Sequence, residues 1–247
     1  MFNQLSDTIF LLKESIFNPQ LRYLKYYIYT GFIAFLIFAL LVLIGTNYFL
    51  LIGSFIFEYL PFALPYGEKV VPFLGAGVTF VFLLLIFKYL LLVFLSPLLG
   101  LLSEKVEKDM NQDLHGPSFS MVNMLLSSFR LSIINLFKEI GITILLLILG
   151  VFPLFTMVAS ILLIMTQSYF LGYGVMTYFT ERHISYARTR SFVREHRWSV
   201  MSIGLIFYLM MLIPVVGIMI APCFTTIIAT RYGANVLCAE RNADVLF

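Results

Sequence analysis

Four long apolar runs constrain this chain more than any other feature. They extend from about Tyr26 to Phe57, Val70 to Leu102, Ile140 to Phe179 and Val200 to Thr230, the third interrupted at "GVFPLF" and the fourth at "IPVVG". Of 247 residues, 61% are hydrophobic and 12% charged, against roughly 25% charged in soluble domains. A water-soluble core cannot hide so much apolar surface, so the bilayer is the expected solvent. There every backbone N–H and C=O needs an internal partner, and only helices or closed barrels can span. Barrel strands alternate apolar and polar residues, whereas "FIAFLIFALLVLIG" and "ILLLILGVFPLF" do not alternate. The expected fold is all-α and integral to the membrane, with two long transmembrane helices, two helical hairpins and an N-terminal interfacial helix.

These elements divide residues 1–247, read as one polytopic domain, into an interfacial helix over 1–19, long transmembrane helices over 20–59 and 70–110, a first hairpin over 120–180 and a second over 190–240. At the N-terminus Leu5, Ile9, Leu12 and Ile16 recur at helical spacing between Asp7, Lys13 and Glu14. That pattern suits a helix lying in the interface or, equally, a first turn packed on the protein. The basic start, short apolar run and cleavage site of a signal peptide are not in that order here. In the second hairpin, Trp198 to Pro214 is roughly 24 Å of helix and Gly217 to Arg231 roughly 21 Å. Glu139 to Pro153 in the first is similarly short, and all fall below the ~30 Å hydrocarbon core. The turns "GVFP" and "PVVG" carry no charge to hold them in water. The hairpin tips are therefore expected to stop inside the bilayer, where broken backbone must be covered by protein or a water-filled cavity; two ordinary, slightly short transmembrane pairs are the alternative. Each hairpin has a basic lead-in, an apolar arm, a proline turn and a second arm, as two similar wedges from one side would.

The basic residues choose that side. Arg22 and Lys25, Lys105 and Lys108, Arg130 and Lys138, Arg182 to Arg197, and Arg231 and Arg241 all fall at one set of segment ends. The opposite side has only Lys69, against Glu58 and Glu68, and two uncharged tips. The positive-inside rule places the N-terminus, the 103–129 segment, the 182–197 segment and the C-terminus in the cytoplasm.

Individual charges raise narrower questions. Lys88 lies within "LLLIFKYLLLVF", where an ionisable group marks a functional position unless it snorkels to an interface. Arg130 and Lys138, about two turns apart, would meet lipid phosphate or a small oxyanion. Arg188, Arg190, Arg194 and Arg197 sit in a juxtamembrane basic run of the kind that binds anionic lipid head groups. The connector holding them is too short to be a folded nucleic-acid reader. His183 and His196 read as solvated connector residues rather than metal ligands, and Cys223 and Cys238 form neither a disulfide framework nor a zinc spacing. In "SPLLGLLSEKVEKD" the apolar run meets Glu104, Lys105, Glu107 and Lys108; Glu104 and Lys108 make an i,i+4 pair, and Leu101, Leu102 and Val106 keep one stripe apolar. Pro97 and Gly100 allow a kink just before it.

That stretch also carries a resemblance. "PLLGLLSEKVE" resembles the CysZ-type sulfate permease family, which is related to the etoposide-induced membrane proteins of eukaryotes. "NPQLRYLKYYIYTGF" resembles the family's lead into its first helix. "GYGVMTYFTERHISYARTRSFVREHRWSV" followed by "LIPVVGIMIAPCFTTIIAT" resembles its second hairpin. The resemblance implies two long transmembrane helices, two membrane-penetrating hairpins, homo-oligomers, a bacterial inner-membrane location and sulfate uptake as the activity. It also implies an anion site at Arg22 and the backbone of Gly100, Leu101 and Leu102, since N–H groups near a helix start suit an oxyanion and arginine binds one bidentately. Two positions depart from the family's pattern: Tyr23 stands where a second arginine is common, and Thr177 where an acid often precedes the tyrosine.

A channel or permease for a small inorganic anion such as sulfate is the leading expectation, without ATP, metal or other cofactor, because no phosphate-cradling Gly-Lys-Ser/Thr loop occurs. The alternative is a non-transporting membrane scaffold or lipid-interacting protein. An enzyme is not expected, as paired intramembrane carboxylates, HExxH and a nucleophile–His set are all missing. Polar residues inside the runs are few, among them Asn47, Thr156, Gln167, Thr225 and Thr226, so a pore would call for an oligomer or a lateral opening.

Overall fold

A computed structural model describes residues 10, 11, 13, 23–59, 67–110, 121–150, 152–213 and 216–245. Among the described residues there are seven helices and no strand: α1 (Leu24–Tyr59), α2 (Gly67–Asp109), α3 (Met121–Gly150), α4 (Pro153–His183), α5 (Tyr186–Glu195), α6 (Arg197–Met211) and α7 (Val216–Val245). Five of them (α1, α2, α3, α4 and α7) are long and apolar enough over their described residues to cross a membrane. Of the segment expected as an interfacial helix, Phe10, Leu11 and Lys13 are described, all helical; the remainder lies outside the described residues.

Helix lengths differ from the arms counted between charges. α3 has 30 residues and α4 has 31, about 45 Å each by helical rise. Glu139 is therefore the middle of α3, not its start. α6 is short, at 15 residues, but α7 runs on past Arg231 to 30 residues. Charge does not end a helix; only lost backbone pairing or a helix-breaking residue does. Pro153 opens α4 at its first turn, where its missing N–H costs nothing. Pro97 lies inside α2 and cannot donate to the Val93 carbonyl four residues back. Ser96 Oγ supplies that bond instead, at 2.8 Å, and the helix continues.

α7 is the most enclosed span, packed against α1, α2, α4 and α6. α3 lies outside this group and packs on α2 and α4. The tightest crossing joins α4 to α6. A Cβ built at Gly172 would collide with the Val200 carbonyl, and one at Gly204 with the Ser168 carbonyl. Small residues let two backbones touch, which is how membrane helices gain packing energy when lipid supplies no hydrophobic drive. At the α1–α7 contact, Gly31 faces Met219 and Thr30 Oγ1 lies 2.9 Å from Cys223 Sγ. Outer faces are apolar, with Phe32, Phe35, Leu145, Leu147 and Met157 all exposed. The inside, by contrast, holds Thr30, Lys88, Ser103, Glu139 and Arg182. The interior is otherwise apolar, with Leu91, Leu95, Phe179 and Ile227 buried, and a lipid environment is what allows the outer faces to be apolar as well.

Candidate functional site

Among the described residues, the buried charges gather into two clusters. The first joins α2, α3 and α4. Lys88 on α2 extends its ammonium to Glu139 on α3 and to Gln167 Oε1 on α4. Tyr89 donates its hydroxyl to the other carboxylate oxygen of Glu139 at 2.5 Å. The side chains of Lys88 and Glu139 are 6% and 0% exposed. The snorkelling alternative for Lys88 therefore does not describe it: its ammonium ends inside the protein on an opposite charge. Isolated, either ion would be very costly to bury; paired and further hydrogen-bonded, each is tolerated. Along α3 the buried positions include Ser128, Ser132, Asn135, Glu139 and Thr143. Their spacing of three and four keeps them on one helical face. The polar residues that look sparse along the chain thus form a largely polar seam, with Leu131 and Leu146 buried beside them, on the side of α3 that packs against α2 and α4. At its base Ser127 Oγ donates to Glu181 at 2.8 Å.

The second cluster joins α2, α4 and α7. Arg182 Nη2 donates to Glu107 Oε2 and to Ser103 Oγ, both at 2.8 Å. His183 Nε2 lies 3.0 Å from the same Glu107 oxygen. Thr230 Oγ1 donates to Ser103 Oγ at 2.8 Å. His183 is not a solvated connector residue, for α4 continues through it and turns it against α2. Glu104 and Lys108 form the i,i+4 pair at 2.6 Å, on the exposed side. The two glutamates of "SEKVE" thus have opposite situations: Glu104 in water, Glu107 locked inside.

The expected anion site is placed as follows. Arg22 lies outside the described residues. The next residue, Tyr23, donates to Asp109 at 2.7 Å, and Lys105 sits over the Tyr23 and Tyr26 rings at 5.8 and 5.9 Å. The start of α1 is therefore fastened to the end of α2. Gly100, Leu101 and Leu102 lie inside α2, with Gly100 and Leu102 buried. The expectation of free N–H groups at a helix start is corrected here: within a continuous helix those groups bond to carbonyls four residues back. Arg130, Lys138, Arg188, Arg190, Arg194 and Arg197 are all exposed. Arg188, Arg190 and Arg194 form the outer side of α5, whose inner side buries Thr189, Phe192 and Val193.

Sequence reasoning misses Glu139, Tyr89 and Gln167 as partners of Lys88, and Arg182 and His183 as partners of Glu107. One signal points to the first pair. Glu139 is the sole acid between Asp113 and Glu181, and a lone acid in one apolar run needs a lone base from another.

Compared with known proteins, the family described as sulfate transporter CysZ/etoposide-induced protein 2.4 matches residues 14–222. No curated protein matches the chain.

Proposed function

The chain belongs to the sulfate transporter CysZ/etoposide-induced protein 2.4 family, and from that premise we propose that it is a non-enzymatic permease for a small inorganic anion, with sulfate the first substrate to test. The observation that carries the reading is the buried Lys88–Glu139 pair within a polar seam of a multi-pass membrane protein. A scaffold held together by packing alone has no use for five aligned polar positions on the inner face of one helix. Passage requires no ATP in this reading, only a route along polar groups between helices. Homo-oligomers, an inner-membrane location and cytoplasmic termini belong to the same reading, the last supported by the basic ends of the segments.

Re-entrant hairpins belong to it too. Lys138 is exposed on the outer face of α3 beside Phe137 and Ile142. A lipid-facing ammonium needs head groups or water within reach. From Lys138 to Gly150 is roughly 18 Å, which would put the tip of the first hairpin within the bilayer. α6, at about 22 Å, would do the same for the second.

The anion site expected at Arg22 stays part of the proposal, with Tyr23 and Lys105 holding that region to α2. The test is uptake of labelled sulfate into liposomes containing the purified protein, with Arg22→Ala as the comparison. Uptake faster than in protein-free liposomes and reduced in the variant supports the reading; uptake no faster than in protein-free liposomes refutes it. For the hairpins, Ile213→Cys, exposed at the second tip, should resist aqueous thiol reagents from both sides, and ready labelling from outside would mean ordinary spans.

The four-arginine edge formed by α5 and Arg197 favours a second reading, attachment to anionic lipid, which would hold even if no anion crosses.

A further inference from the structure

α3 differs from the other spans in how it is held. α4 meets α6 through touching glycine backbones, and α1 meets α7 where Gly31 lies against Met219. Such contacts leave no room and resist sliding. α3 presents to its neighbours the polar face of Ser128, Ser132, Asn135, Glu139 and Thr143. Its outer face, with Phe137, Ile144 and Leu145, is apolar and exposed. A polar interface in a membrane protein is one that water can enter once it parts.

The ion pair is divided across that interface. The cation stands on α2 and is also held by Gln167 of α4; the carboxylate stands on α3. Moving α3 outward carries Glu139 away while Lys88 stays with Gln167. The same motion that opens the seam therefore bares a cation in it. Thr143 lies one turn beyond Glu139 on the same face, is buried, and its Oγ1 has no hydrogen-bond partner among the described residues. It is an unused donor close to where the carboxylate sat.

We propose that the seam between α3 and the α2–α4 pair is the anion's route through the protein, that the Lys88–Glu139 pair closes it, and that Lys88 binds the anion when α3 moves away. The proposal rests on the permease reading. Without an anion, parting the pair strands a buried charge, so the closed form prevails. A small oxyanion replaces the carboxylate on Lys88 through charge-assisted hydrogen bonds. Because it makes these bonds only in the open form, it shifts the population toward that form. Glu139 prevents the cation from standing open when no anion is present.

The test combines a labelling readout with transport, in a Cys223→Ser, Cys238→Ser background reconstituted in liposomes. Thr143→Cys should react slowly with a water-soluble maleimide. Sulfate should speed the reaction by about tenfold, gluconate at matched ionic strength should not, and Glu139→Gln should speed it without any anion. Ser127→Cys with Glu181→Cys, compared with its own reduced rate, should lose sulfate uptake when the two thiols are bridged by a short, reducible bis-thiosulfonate reagent and recover it with reductant. Labelling insensitive to sulfate, or full uptake by the cross-linked form, overturns the seam proposal while wild-type uptake leaves the permease reading standing. Failure of the wild-type protein itself to take up sulfate overturns both.

Discussion

Replacing Glu107 should unsettle the protein far more than replacing Glu104, although both belong to one short charged run. The Arg182–Glu107 pair has side chains 8% and 7% exposed, whereas those of Lys108 and Glu104 are 73% and 42% exposed. In Glu107→Ala the Arg182 guanidinium keeps, among the described residues, Ser103 Oγ and the Tyr178 carbonyl as hydrogen-bond partners, at 2.8 and 3.3 Å, and only the half-solvated Glu104 as a counter-charge. Removing one partner of a buried pair costs about 3–5 kcal/mol. Glu104→Ala loses one exposed i,i+4 pair, worth about 0.3–0.5 kcal/mol at most. For a chain of this size each kcal/mol moves Tm by roughly 2–4 °C. The expected drops are then about 6–20 °C for Glu107→Ala and less than about 2 °C for Glu104→Ala. Thermal unfolding in detergent, followed by circular dichroism at one heating rate, reads both. Glu107→Gln should fall between them, since the amide still accepts from Arg182 but leaves its charge uncompensated. Equal shifts for Glu104→Ala and Glu107→Ala would refute the reasoning, because they would mean that burial does not set the worth of the pair.

Three further outcomes follow from the same geometry. Gly172→Ala should lose at least about 2 kcal/mol, because its Cβ meets backbone that no rotamer change can move, while Gly141→Ala, with no neighbour within 4 Å, should be neutral or gain up to about 1 kcal/mol from helix propensity; paired melts check both. Lys88→Met should cost about 3 kcal/mol by stranding Glu139, and Lys88→Met with Glu139→Leu should recover most of it, which a double-mutant cycle on unfolding measures. Replacing Arg188, Arg190 and Arg194 with Gln should reduce thermal stabilisation by phosphatidylglycerol relative to phosphatidylcholine by about 3 kcal/mol, at about 1 kcal/mol per arginine, leaving the share of Arg197.

Several features are legible in the order of residues alone. Continuous apolar runs leave the backbone no partner but itself, so helices follow directly. The Glu104–Lys108 pair is legible for the same local reason, being one turn of one helix. Helix extents are not, because a charged residue such as Glu139 reads as a boundary although a partner on another helix lets it lie within one. The free backbone donors expected at Gly100–Leu102 fail likewise, since Ser96 bridges the gap that Pro97 opens and α2 does not stop.

What the chain's order does not disclose is which residues meet. Lys88 and Glu139 are 51 positions apart, Glu107 and Arg182 75 apart, and Ser103 and Thr230 127 apart. Periodicity tells which side of a helix a residue occupies but not what that side faces. The rotation of each helix about its axis is decided where Gly172 meets Gly204 and where Gly31 meets Met219, contacts between segments that share no local signal. Local chemistry thus set the helices. Helix packing decided which of their few charges would be buried in pairs, because a charge withdrawn from water is stable only where another helix brings its opposite.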